Sequence, residues 1–124
     1  MALILAIEDH DEVLTMLSVI LQDHQMLLAP DSTSGLRMAA DMRPDLILLD
    51  VGMPDVDGLE VCRALRRSPA TADTPILLVT AHADVVRDPS IWQGIGANGA
   101  IMKPFSPTQL VARVEELLAQ RRGG

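Results

Sequence analysis

Short apolar runs alternate with stretches of helical periodicity along the whole chain. Residues 3–7, Leu-Ile-Leu-Ala-Ile, form an uninterrupted apolar run, as expected of a parallel strand covered on both faces. Residues 11–23 follow, with Val13, Leu14, Leu17, Ile20 and Leu21 at helical spacing. Residues 26–29 read as a second strand, and Ser32 or Thr33 is placed to cap a helix running to about Met42. Pro44 breaks that helix ahead of a third apolar run, residues 46–49, which ends at Asp50. A loop from Gly52 to Gly58 leads into a helix ending near Arg67, and residues 76–79 make the fourth run. After it the pattern loosens. Asp88-Pro89-Ser90 can start a helix with proline in its first turn, while Gly94 and Gly96 weaken its continuation. Residues 100–102 form a short fifth strand. Ser106-Pro107 opens a last helix, with Leu110, Val111, Val114, Leu117 and Leu118 as its apolar stripe.

Five strand-then-helix units predict an α/β, doubly wound domain: a five-stranded parallel sheet with helices on both faces. Residues 1–120 are expected to form this domain, and the polar residues 121–124 a flexible tail or the start of a linker. Tyr is absent, and Phe and Trp occur once each, so the core must be aliphatic. A single cysteine, Cys62, excludes an internal disulfide and a Cys-rich metal site, and suits a reducing cytoplasm. It falls within a helix and reads as a small core residue. The apolar start of the chain reaches an acid at Glu8, lacks a basic flank and is too short to span a bilayer. It is therefore read as a buried strand, with no leader or membrane segment expected. The formal net charge of −7 argues against direct nucleic-acid binding through phosphates. It fits either a solvated acidic surface or acids that hold a cation.

In open parallel sheets, ligands bind outside the carboxyl ends of the strands. Glu8 and Asp9 follow the first run, Asp50 the third, Thr80 the fourth, and Lys103 and Pro104 the fifth. Side-by-side strands would bring three carboxylates, a hydroxyl and an ammonium to one rim. Clustered carboxylates repel and raise one another's pKa values, and a hard divalent ion such as Mg²⁺, which takes oxygen ligands, resolves the conflict. A carboxylate is also a competent nucleophile toward phosphorus. Charge on a transferring phosphoryl group could then be met by Mg²⁺, the Lys103 ammonium, the Thr80 hydroxyl and backbone N–H groups. Taken singly, each residue has a plainer reading: Glu8 or Asp9 as a helix cap, Asp50 as a loop acid, Thr80 as a turn residue, Lys103 as a solvated lysine. Joint placement at successive strand ends favours chemistry. His10, His24 and His82 lack ligand-like spacing and read as surface or loop residues, and the dispersed methionines read as packing.

The segments Ile4–Asp9, Pro44–Asp50, Met53-Pro54 with Asp57-Gly58, Val79-Thr80-Ala81 and Lys103-Pro104-Phe105 together resemble the response-regulator receiver family of two-component signalling, over essentially the full chain. The resemblance implies a (βα)5, flavodoxin-like sheet of order 2-1-3-4-5. It implies Asp50 as phosphoacceptor from a histidine kinase or phosphotransfer protein. Mg²⁺ would be bound by Glu8, Asp9, Asp50 and the carbonyl of Gly52, with Asp9 the more direct ligand of the acidic pair. Thr80 and Lys103 would sense and bind the phosphoryl group. Such domains are cytoplasmic signalling modules that catalyse only their own phosphorylation and dephosphorylation, and the Lys-Pro bond is often cis. They switch through the face made by the fourth helix, fifth strand and last helix, where homodimers also form. The aromatic residue usual three positions before the lysine is here Ala100, so either Thr80 couples through Ile101 or Trp92, or the coupling is weak. Gly52 and His82 are expected to flank the path of an attacking water. Three other readings compete with this one. A small phosphohydrolase with an aspartyl nucleophile would want an acid where Gly52 stands. A flavin-binding domain of similar topology would want a phosphate loop where Glu8-Asp9-His10-Asp11 stand. A degenerate receiver, acting only as a phosphorylation-independent interaction module, is opposed by the intact acidic set.

Overall fold

A computed structural model describes residues 1–54 and 56–123. The elements are β1 (Leu3–Ile7), α1 (Asp11–Ile20), β2 (Gln25–Ala29), α2 (Ser32–Met42), β3 (Leu46–Asp50), α3 (Gly58–Arg67), β4 (Ile76–Thr80), α4 (Ala83–Arg87), α5 (Pro89–Gly94), β5 (Gly99–Met102) and α6 (Pro107–Gly123). The five strands form one sheet of order β2-β1-β3-β4-β5, with every pairing parallel.

The continuous apolar runs arise because the sheet is covered on both faces. Successive strand side chains point to opposite sides. Leu5, Ile7, Ile47, Leu49, Ile76 and Leu78 face one core, with Val61, Cys62 and Leu65 of α3 and Ala39 of α2. Ile4, Ala6, Leu46, Leu48, Leu77 and Val79 face the other, with Leu14 and Leu17 of α1 and Leu110, Val114 and Leu117 of α6. Both cores are almost wholly aliphatic, as the lack of aromatic residues requires.

Four local features differ from the sequence reading. Helix α1 ends at Ile20, where residues 21–23 turn toward β2. Helix α2 is capped by Asp31, whose carboxylate accepts from the Ser34 amide at 2.7 Å; Ser32 and Thr33 do not cap it. The stretch after β4 holds two short helices in place of one. The extended Asp88 separates them, ending α4 and capping α5 through the Ser90 amide. Arg121, at the expected start of the tail, is in α6, and its guanidinium donates to the carbonyls of Pro44 and Asp45.

Polar side chains tie together the amino ends of the strands. Arg66 donates to the carbonyls of Gly96, Thr71, Ala72 and Thr74 and to Asn98 Oδ1, which also accepts from the Ile76 amide. These bonds join the end of α3 to the starts of β4 and β5. Asp45 Oδ2 accepts from the Leu3 amide. His24 is a loop residue, yet its side chain is only 9% exposed: Nδ1 accepts from the Ala2 amide, and Nε2 lies 2.6 Å from Glu115 of α6. Among the described residues, no helix is long and apolar enough to cross a membrane.

Candidate functional site

The parallel register brings the predicted residues to one rim. Ile7 pairs with Leu49, Asp50 with Val79, and Thr80 with Met102. Glu8 and Asp9 therefore leave β1 beside Asp50 at the end of β3. Thr80 ends β4 one strand over. Lys103 follows β5, its amide donating to the Thr80 carbonyl at 2.8 Å. The Lys103-Pro104 peptide bond is cis.

The charged groups converge around Lys103. Its Nζ lies 2.5 Å from Glu8 Oε1 and 3.5 Å from Asp50 Oδ2. Asp50 and Glu8 are both nearly inaccessible, at 4% and 2% exposure, an expensive place for two carboxylates with one ammonium. Ligating atoms of Glu8, Asp9, His10 and Asp50 all lie within 4.8 Å of one another. Asp9 makes no cap for α1: the residue flanking that helix is His10, and Asp9 Oδ1 is buried without a hydrogen-bond partner among the described residues. An orphaned carboxylate oxygen facing other acids is the donor set of a hard cation, so these residues fit Mg²⁺.

Asp50 is oriented from its own loop. The Gly52 amide donates to Asp50 Oδ1 at 2.9 Å. A side chain begun at Gly52 would sit 3.5 Å from that oxygen and 4.0 Å from His82 Nε2, so Gly52 borders the carboxylate and the His82 ring lies close to Gly52. The loop is held from behind by α3. Asp57 caps that helix through the Leu59 amide, and Gly58 packs so close that a Cβ there would lie 2.3 Å from Val51 Cα. Thr80 is fully buried, its Oγ1 accepting from the His82 amide at 3.0 Å. Ala100 and Trp92 pack on the core that includes Val85, whereas Ile101 packs on the opposite core with Val79.

His10 was not singled out from sequence. It follows the acidic pair directly, and its Nδ1 lies 3.2 Å from both Glu8 Oε2 and Asp9 Oδ1. The hydrogen bond to Glu8 and the charge of Asp9 raise the imidazole pKa. The adjacency in sequence was the available signal.

Glu8 is pushed above its ordinary pKa, mainly by burial and then by a hydrogen bond with Asp50; Lys103 opposes this but does not outweigh it. The folded chain then keeps a proton that the unfolded chain releases. Stability contributed by this group is present at low pH and is lost as pH rises through the raised pKa. In chelator-treated protein, urea midpoints across about pH 4 to 8 are expected to fall for wild type relative to Glu8→Gln as pH rises. A gap between the two that stays constant with pH would contradict this assignment.

Comparison with known proteins agrees with this geometry. Residues 4–115 match the family model described as response regulator receiver domain. The chain is 38% identical over 117 residues to the DNA-binding response regulator MtrA of Mycobacterium tuberculosis, covering 93% of this chain and 50% of that protein. It is 40% identical over 122 residues to the transcriptional regulatory protein AfsQ1 of Streptomyces coelicolor, covering 97% of this chain and 52% of that protein. The chain thus spans about half the length of these curated relatives. Among solved structures, it superposes on the chemotaxis response regulator CheY4 of Vibrio cholerae with a TM-score of 0.86 at 32% identity, covering 94% of this chain and 98% of that one. With the sheet order, the rim of acids and the lysine already in place, these matches identify the chain as a member of the response regulator receiver domain family.

Proposed function

We propose that Asp50 accepts a phosphoryl group from a phosphohistidine on a histidine kinase or phosphotransfer protein, with Mg²⁺ held by Glu8, Asp9, Asp50 and the Gly52 carbonyl. The observation that supports this best is the buried Asp50 carboxylate, bonded by the Gly52 amide on one oxygen and 3.5 Å from Lys103 Nζ on the other. When bound, the ion offsets the carboxylate charge and stabilises charge on the phosphoryl oxygens.

The chain's own residues do the rest. The Gly52 amide fixes the carboxylate plane. A carboxylate oxygen of Asp50 forms the bond to phosphorus as the bond from phosphorus to the donor imidazole breaks; that imidazole, protonated on its other nitrogen, leaves neutral. Lys103 can exchange its contact with Glu8 for a phosphoryl oxygen. Thr80 accepts from the His82 amide, so its own O–H can be offered to another. Drawing Thr80 forward biases the packing of α4, α5, β5 and α6, where Trp92 and Ala100 share a core. That face also exposes Met102, and we place pairing of two copies there. An apolar cleft of about 360 Å³ lined by Val13, Met16, Ala81, Pro104 and Phe105 beside Lys103 gives the donor protein a surface to approach. The domain is a cytoplasmic signalling module whose only chemistry is on itself.

Incubation with acetyl phosphate and Mg²⁺ is expected to add one phosphoryl mass to the intact protein. Chelation or Asp50→Asn should abolish the gain, and labelling of Asp50→Asn at the wild-type rate would refute the assignment. Gly52→Arg places a long side chain where water must approach the acyl phosphate. Its phosphoryl half-life is expected to lengthen several-fold, and an unchanged half-life would rule out gating at this position.

A further inference from the structure

The acid set leaves His10 unexplained. The residue flanks α1 in an extended conformation and makes no side-chain cap bond among the described residues, so its ring has no capping duty. Its side chain is 63% exposed, so it is not there to fill the core. Its amide nonetheless donates to Glu8 Oε2, which pins the residue against the acids. The ring nitrogen Nδ1 lies 3.2 Å from Glu8 Oε2 and 3.2 Å from Asp9 Oδ1, the oxygen buried without a hydrogen-bond partner among the described residues. A ligating atom of His10 also falls within 4.8 Å of those of Glu8, Asp9 and Asp50.

Three carboxylates alone favour a hard ion such as Mg²⁺. An imidazole nitrogen changes that preference. Borderline ions gain from nitrogen in the order Mn²⁺, Co²⁺, Ni²⁺, while Mg²⁺ gains little and prefers to keep its waters. We propose that His10 supplies an imidazole nitrogen to the ion at the Glu8–Asp9–Asp50 site, so that this chain selects Co²⁺, Ni²⁺ and Mn²⁺ over Mg²⁺ more strongly than its oxygen ligands would. The inference rests on the metal reading given above and assigns the selectivity of that same site. His10 is exposed at the rim, so its nitrogen can reach an ion from the solvent side while the acids hold it from within.

The test is titration calorimetry of Mg²⁺ and Co²⁺ against wild type, His10→Asn and Asp9→Asn. Pulsed EPR of bound Mn²⁺ gives an independent readout. His10→Asn is expected to weaken Co²⁺ about tenfold or more while moving Mg²⁺ by no more than about twofold. The ¹⁴N modulation on Mn²⁺ should vanish with it. Asp9→Asn should weaken both ions. Unchanged Co²⁺ affinity in His10→Asn would overturn the proposal. So would equal losses for both ions, which would mean that the ring only arranges the carboxylates. If wild type binds neither ion and Asp9→Asn changes nothing, the metal site itself fails and His10 with it, an outcome distinct from loss of selectivity alone.

Discussion

Everything at the rim depends on one constraint: all five strands run the same way, in a register that ends β1, β3 and β4 side by side. Parallel strands need long crossovers, and the helices that supply them cover both faces. What remains open is the edge where the strands finish. Glu8, Asp9, Asp50 and Thr80 lie there because each immediately follows or ends an aliphatic run. The same burial that stabilises those runs makes the terminal carboxylates costly. Among the described residues Lys103 is the one cation that reaches both Glu8 and Asp50, and it offsets only part of that cost. The site thus keeps an excess of negative charge that an additional positive charge would offset.

The two edges of the sheet divide the work. At the amino ends, Arg66, Asn98, Asp45 and His24 satisfy backbone groups and link loops distant in sequence. These contacts match donors to acceptors: the Arg66 guanidinium meets backbone carbonyls and the Asn98 side chain, and His24 meets the Ala2 amide and Glu115. At the carboxyl ends, like charges face one another, and Asp9 Oδ1 has no hydrogen-bond partner among the described residues. Behind Asp50, the backbone of α3 presses on Val51 at Gly58, so the loop that follows Asp50 is fixed by sterics as well as by the Gly52 hydrogen bond.

Much of this was legible in the sequence, for identifiable reasons. A strand buried on both faces shows as an unbroken run of Leu, Ile, Val and Ala, and β1, β3 and β4 carry such runs. β2 is less plain, because Gln25 and Leu28 are exposed on the sheet edge. The meeting of Glu8, Asp50 and Lys103 followed from strand order and the rule that ligands sit at strand carboxyl ends. What the sequence hid depends on side-chain direction and on close approach. Asp31 outcompeted Ser32 and Thr33 for the α2 cap because its carboxylate reaches the Ser34 amide. The break at Asp88 divides a stretch whose weak periodicity gave no warning of the short helix at Ala83–Arg87. His24 reads as a surface or loop residue by type, and only the fold shows the backbone groups that it and Arg66 bond. The contact of His10 with Glu8 and Asp9 needed the turn between β1 and α1.

The claim that carries most weight is that these strand ends act together as one site for an ion and a phosphoryl group. The most direct measurement is an amide NMR titration of the intact chain, first with Mg²⁺ and then with beryllofluoride as a phosphoryl mimic. Mg²⁺ is expected to move the amides around Asp9, Asp50 and Gly52, and beryllofluoride to move those of Thr80, Ala81 and Lys103 only when the ion is present. Shifts from beryllofluoride without the ion, or shifts confined to residues away from the carboxyl rim, would contradict the account.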